Sequence, residues 1–287
     1  TEIYTLSLHD ALPIFLLPPY AHPVFRDDPV FDEWYRGLRR HRPFLLETMD
    51  FNLLALYRHI RARGLAPLRI PRIVVLASLA PALRTRLGEF FGAEIFNRFG
   101  PHEVEGVGFA CHEHDGLHMA VDCVHTEFLD EAGRPVPDGE PGFVTLTDLD
   151  LRAMPILRYR IGDIGRRLDR RCACGRSFPL MGDIEGRARD VFTGEGGRTV
   201  PAARIAAAVQ AEPDVDLFQV TQHYDGRVQA RVAPLLSGSF AGVATRIRNA
   251  LQALLGASAA IEVAEGGPLE LEVNGKFCFA RRGVQGG

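Results

Sequence analysis

A chain of 287 residues with 46% hydrophobic content can bury one sizeable core or two unequal ones. Its net charge of −3 supplies no basic field for nucleic acid or an anionic membrane surface, and its longest apolar run is broken by Pro71, Arg72 and Pro81, short of the ~20 residues a bilayer requires. Five cysteines, an odd number over a long chain, fit reduced thiols or a metal site better than a disulfide framework, so composition implies a soluble cytoplasmic protein.

The sequence begins at Thr1, and residues 1–14 (TEIYTLSLHDALPI) resemble a translated sequencing adapter; they are set aside as artefactual, with the natural protein expected to begin upstream. Leu53, Leu54, Leu56, Tyr57 and Ile60 then mark a helix over Phe51–Arg63, with Gly64 placed to cap it. Arg72–Ser78 reads as a buried strand, Pro81–Phe91 as a helix closed by Gly92, and Ala93–Asn97 as a strand running into Phe99-Gly100. Strand, helix, strand predicts a parallel α/β sheet. From Cys123 to Arg160 short β segments alternate with turns, predicting a small β-rich subdomain. After Gly186-Arg187 a separate unit is expected: helix Ala202–Gln210, hairpin Leu217–Val232 turning at Tyr224-Asp225-Gly226, helix Phe240–Leu255 and strand Ala260–Val263. The predicted fold is thus α/β over residues 15–185, followed by a small α+β domain over residues 186–287.

Four short motifs carry chemistry. In Phe99-Gly100-Pro101-His102-Glu103 a ring can lie against a flat base, the glycine admits close backbone approach, and the carboxylate can hold a hard cation. In Arg158-Tyr159-Arg160-Ile161-Gly162-Asp163 the aspartate after a glycine turn suits a bidentate grip on vicinal hydroxyls. Gly186-Arg187-Ala188-Arg189-Asp190 and Asn274-Gly275-Lys276 follow. Lys276 is the one lysine in a chain that otherwise uses arginine, which points to a place where a compact ammonium serves and a planar guanidinium does not.

In this order the motifs resemble those of the acyl-adenylate-forming (AMP-binding) superfamily, in its phenylacetate–CoA ligase-like branch, over roughly Arg42 to Arg282. The resemblance implies an ATP-dependent carboxylic acid–CoA ligase, acting on an aryl or arylacetic acid through an acyl-AMP intermediate, with Mg²⁺ and CoA. It places Phe99 and Gly100 against adenine and Glu103 on Mg²⁺. Asp163 falls to the ribose hydroxyls and Arg187 to ribose or phosphate. Arg189 becomes the hinge, Arg198 a CoA contact, and Lys276 the bridge between the substrate carboxylate and the α-phosphate. His102 stands where serine or threonine is usual, so an imidazole N–H would replace a hydroxyl at the α-phosphate. Ser78 stands near a position that is commonly glutamate. There is no Ser/Thr/Gly-rich phosphate loop; Thr193–Gly197 is Gly-rich but follows the hinge. The chain as given is therefore expected to be an inactive fragment, with Val104–Phe109 its contribution to the acyl pocket. A carrier-protein thiol as acceptor, or a non-catalytic zinc-containing binding module, are the alternatives; nucleic acid and membrane are not expected partners.

Cys172-Ala173-Cys174-Gly175 forms a tight knuckle, and Cys111 with His118 supplies a second short-spaced pair. Two such pairs, distant in sequence, suit tetrahedral Zn²⁺, and relatives in the same branch resemble this pattern. His112 and His114 compete as ligands; His118 is preferred because Gly116-Leu117-His118-Met119 reads as a turn entering a strand. Cys123 and Cys278 are taken as structural.

Overall fold

A computed structural model describes residues 29–76, 79–104, 106–188, 190–233, 235, 238–267, 269–270 and 277–283, together with the backbone of 5–6 and 14–16. Ser78, the hinge candidate Arg189 and the whole Asn274-Gly275-Lys276 motif lie outside the described residues, as does most of the adapter-like stretch.

Among the described residues there are five α-helices: α1 (Pro29–His41), α2 (Asp50–Ala62), α3 (Pro81–Phe91), α4 (Ala202–Gln210) and α5 (Phe240–Leu255). The strands of the first half are β1 (Thr5–Leu6), β2 (Ile14–Leu16), β3 (Leu45–Thr48), β4 (Arg72–Val75), β5 (Glu94–Phe99), β6 (Gly108–Ala110), β7 (Leu117–Met119), β8 (Val124–Leu129) and β9 (Gly142–Asp148). Those of the second half are β10 (Tyr159–Gly165), β11 (Arg167–Leu168), β12 (Leu180–Met181), β13 (Gly186–Arg187), β14 (Val191–Thr193), β15 (Thr199–Pro201), β16 (Phe218–Gln222), β17 (Val228–Val232), β18 (Ile261–Glu265) and β19 (Ala280–Arg282).

The chain folds into two compact units, one made of residues 1–73, 79–95 and 190–287, the other of 74–78 and 96–189. In the first unit α2 is buried on all sides, from Phe51 through Ile60, which is why its apolar positions fill most of the helix rather than one stripe. Helix α3 starts at Pro81, whose missing N–H is no loss in a first turn, and stops at Gly92. Gly92 has φ +61°, and a side chain there would meet the Arg69 guanidinium at 2.6 Å. Helix α1 and strand β3 were not among the expected elements. Phe31, Trp34, Tyr35 and Leu38 form the buried stripe of α1. Strands β16 and β17 form the expected hairpin, flanked in parallel by β19 and β18. Helix α5 contributes Val243, Ala244, Ile247, Leu251 and Leu255 to the core, a helical period.

The second unit is β-rich. Strands β5, β6, β7, β12 and β11 pair antiparallel in that order, and β13, β10, β9 and β8 form a separate antiparallel sheet. Val104, Val107, Leu117, Met119, Val124, Phe128, Val144, Leu146 and Met181 make its core. No helix among the described residues is long and apolar enough to cross a membrane.

Candidate functional site

Two groups of residues singled out in the sequence come together in the second unit. The first lies on the β10–β13 pair. Asp163 stands directly across the ladder from Arg187, and their side chains form an ion pair at 3.8 Å. The β10–β9 register shifts between Arg160 and Ile164, a bulge that turns on Gly162 at φ +87°. The Ala188 N–H donates to the Gly162 carbonyl at 2.9 Å and locks the pair. Both side chains remain partly exposed, 21% and 30%. The arrangement therefore offers a carboxylate and a guanidinium side by side at a surface, able to take a diol and an anion together.

At the end of β5, Phe99 packs on the same core cluster as Ile161 of β10. The turn that follows closes with the Val104 N–H on the Pro101 carbonyl at 3.2 Å and leaves His102 and Glu103 exposed. Val104 and Val107 point into the core, whereas Gly106 and Phe109 line a cavity of about 590 Å³. Its other walls include Arg98, Met119, Arg176 and Phe178. The Arg98 guanidinium lies 5.6 Å over the Phe109 ring. In the first unit, Arg198 is exposed and its guanidinium donates to the Leu254 carbonyl near the end of α5.

The second group is the cysteine–histidine cluster. One ligand atom from each of Cys111, His118, Cys172 and Cys174 lies within 4.8 Å of the other three. Cys111 Sγ is 3.5 Å from Cys172 Sγ, and Cys174 Sγ is 3.3 Å from His118 Nε2. Cys111 follows β6, His118 sits on β7, and both remaining cysteines occupy the turn between β11 and β12, which closes with the Gly175 N–H on the Cys172 carbonyl. Gly116, at φ +100°, lets the β6–β7 turn run tight against the Met181 carbonyl, 2.8 Å from where a Cβ would stand. The competing histidines are placed elsewhere: His112 pairs with Glu113 at 3.2 Å, and His114 lies against the Phe96 ring at 5.4 Å. The Arg176 backbone N–H, with side-chain donors from Cys172 and Arg176, lowers the Cys174 thiol against the opposing effect of burial. The Cys174 N–H favours the Cys172 thiolate, but burial and the neighbouring thiols outweigh it and raise that group. Three cysteine sulfurs and an imidazole nitrogen at mutual spacings near the ~3.8 Å edge of a tetrahedron with ~2.3 Å metal–sulfur bonds make a donor set that fits zinc.

Sequence reasoning passed over a third polar cluster, in the first unit. Asp216, 4% exposed, faces Arg58 at 3.6 Å and Arg61 at 3.5 Å. Nothing in the local sequence marks it, since the partners lie more than 150 residues away.

The fold defined by these elements is that of the acyl-adenylate-forming ligases. It matches a 2-hydroxyisobutyryl-CoA ligase in complex with an acyl-AMP with a TM-score of 0.73 at 21% identity, over 84% of this chain and 55% of that one. It also matches a benzoate CoA ligase from Burkholderia xenovorans with a TM-score of 0.60 at 17% identity, over 86% of this chain and 52% of that one. In sequence the chain is similar to part of a phenylacetate–coenzyme A ligase of Thermus thermophilus, 30% identical over 181 residues, 61% of this chain and 40% of the relative. The chain thus spans less than half the length of that relative. No protein-family model matches it.

Proposed function

We propose that this chain is the C-terminal part of an ATP-dependent carboxylic acid–CoA ligase of the cytoplasm, one that activates an aryl or arylacetic acid as its adenylate. The observation that carries the reading is the pairing of Asp163 with Arg187 across two adjacent strands, beside the aromatic–glycine turn and just before Arg189. Residues 15–185 would supply part of the nucleotide-binding large domain, and residues 186–287 the mobile domain that turns about Arg189.

Asp163 accepts hydrogen bonds from both ribose hydroxyls while Arg187 and the His102 imidazole face phosphate oxygens. Phe99 and Gly100 receive the adenine. A carboxylate oxygen of the acid attacks the α-phosphorus and the bond to pyrophosphate breaks. Lys276 places its ammonium between the two reacting oxygens, where negative charge gathers. In the second half-reaction the CoA thiol attacks the acyl carbon and AMP leaves with the carboxylate oxygen; Lys276 is then withdrawn and Arg198 faces CoA. The exposed Glu103 carboxylate would hold Mg²⁺, which supplies charge neutralisation at the phosphates. Zinc, held by Cys111, His118, Cys172 and Cys174, would clip the β6–β7 hairpin to the β11–β12 turn and take no part in the chemistry.

The test is pyrophosphate exchange by the complete protein with MgATP and phenylacetate or benzoate. Lys276→Ala is expected to lower exchange by ~10² or more, in the range found when a charge-stabilising donor is removed. Thioester formation from supplied acyl-adenylate should be spared. Equal loss of both half-reactions would remove the assigned role. Metal analysis of gently purified protein should give close to one zinc per chain, and a value near zero would remove the clip.

A further inference from the structure

We propose that the cavity beside Phe109 receives the ring of the acid and that Arg98 reads a second carboxylate on it, so that the preferred substrate is an aromatic diacid. The inference rests on the ligase reading above and deepens it, naming a substrate class and the residue that selects it.

The residues lining the cavity all belong to the second unit, and the strand register explains how its wall is built. Arg98 stands opposite Phe109, and Phe109 opposite His118, so the three form one row across β5, β6 and β7. Residues directly opposite share a face of the sheet, and all three line the cavity. Phe99, the next residue of β5, packs instead on the core cluster.

Two rings give the cavity its apolar surface. Phe109 is 42% exposed and Phe178 39%, and because both line one cavity they make a patch rather than scattered surface residues. The Phe109 ring is held in place. The Arg98 guanidinium lies 5.6 Å over it, and a Cβ at residue 106 would stand 3.0 Å from its tip, which the glycine there avoids. At about 590 Å³ the cavity has the size of a small-molecule site, with apolar walls and a few placed polar groups.

The charge on those walls is unbalanced. Two guanidinium groups, Arg98 and Arg176, stand against one carboxylate, Asp122. Arg176 is anchored by a hydrogen bond to the Cys174 sulfur. Arg98 is half-buried over an apolar ring, where partial loss of water strengthens its attraction for an anion, and its planar fork suits a carboxylate bidentately. A monocarboxylic acid commits its one carboxylate to the α-phosphorus. A second carboxylate on the ring gives the excess positive charge of the cavity an anion to hold.

The test compares benzoate, terephthalate and isophthalate, three planar acids that differ in the presence and place of the second carboxylate. Calorimetric binding to the full chain should favour one of the diacids over benzoate by ~tenfold or more, the worth of one charge-assisted pair. Arg98→Gln should remove that preference, and Arg98→Lys, which keeps the charge and loses the fork, should retain part of it. Phe178→Ala, at an exposed position, should weaken all three acids by a similar factor. In the complete protein, pyrophosphate exchange should show the same preference, expressed in KM rather than kcat, because Arg98 meets the ring substituent and not the reacting atoms. Diacids bound no tighter than benzoate, a preference that survives Arg98→Gln, or affinities unmoved by Phe178→Ala would overturn the assignment. Exchange with benzoate and no preference for a diacid overturns it too, and leaves the ligase reading standing. Diacid binding that Arg98→Gln abolishes, in a complete protein that exchanges pyrophosphate with none of the three acids, overturns the ligase reading instead and leaves Arg98 in an anion site without that chemistry.

Discussion

Two buried polar clusters among the described residues solve opposite electrostatic problems. The cluster of Cys111, His118, Cys172 and Cys174 gathers four electron-pair donors in one small volume, and the Arg176 guanidinium hydrogen-bonds Cys174 at its edge. The cluster around Asp216 gathers three guanidinium groups about one carboxylate and a row of carbonyls, so donors and acceptors are matched from within the chain. Donors without an acceptor point outward, to an ion that has to be supplied. Matched charges point inward, to a contact the chain makes with itself. The same property, a polar group away from water, therefore argues for a ligand in one place and for an internal contact in the other.

That contrast can be broken by experiment. If the sulfur cluster depends on an ion, Cys172→Ser or a strong chelator should lower the melting temperature by ~10 °C or more and release zinc in proportion, since metal binding is folding free energy in such sites. A melt unaffected by chelator would mean that the four donors are satisfied among themselves. At the matched cluster, Asp216→Ala removes the carboxylate that faces the buried Arg58 and Arg61 and should cost about 3 kcal/mol in denaturant melts, with no dependence on metal. Gly116→Ala, which forces a Cβ against the Met181 carbonyl at a left-handed φ, should cost about 2 kcal/mol and also weaken zinc retention.

A smaller effect involves Asp50, at the start of α2. Burial lifts its carboxyl from 3.8 to about 6, against the opposing hydrogen bond from the Phe51 N–H. Because the folded value is the higher one, its contribution is fully present below about pH 3.8 and is lost as pH rises through about 6. Asp50→Asn should therefore melt a few degrees above wild type at pH 7.5 and level with it near pH 3.8. A gain that persisted at acid pH would show the effect to be one of packing. The smallest effect is expected at the exposed Arg134–Asp130 pair, 2.8 Å apart, where Arg134→Ala should leave the melt unchanged.

The metal-type cluster was legible because its ligands sit in short-spaced pairs and because cysteine and histidine are scarce enough to be noticed. Asp163 was singled out by the glycine turn before it and Arg187 by the motif resemblance, and the ladder sets the two opposite each other. The Asp216 cluster was not. Arginine stands almost wherever this chain needs a cation, so three more carry no signal, and their common partner is reached only through the fold. The helices α3, α4 and α5 followed their periodicity and their glycine or proline punctuation to the residue. Helix α1 was passed over although Phe31, Trp34, Tyr35 and Leu38 keep a helical spacing, because it begins directly after a proline-rich stretch. Within Val104–Phe109, which residues face the core and which face the cavity was decided by the turn at Gly106, φ +74°, and not by composition.

The short strand β13 has a mechanical consequence. It ends at Arg187, and the next amide, that of Ala188, is still tied to the Gly162 carbonyl, so the backbone is pinned up to one residue before Arg189. Torsion applied beyond that point is stopped at a hydrogen-bonded clamp and does not travel back along the strand. A chain turning beyond Ala188 would swing as a door does on a fixed post, leaving the Asp163–Arg187 ion pair undisturbed.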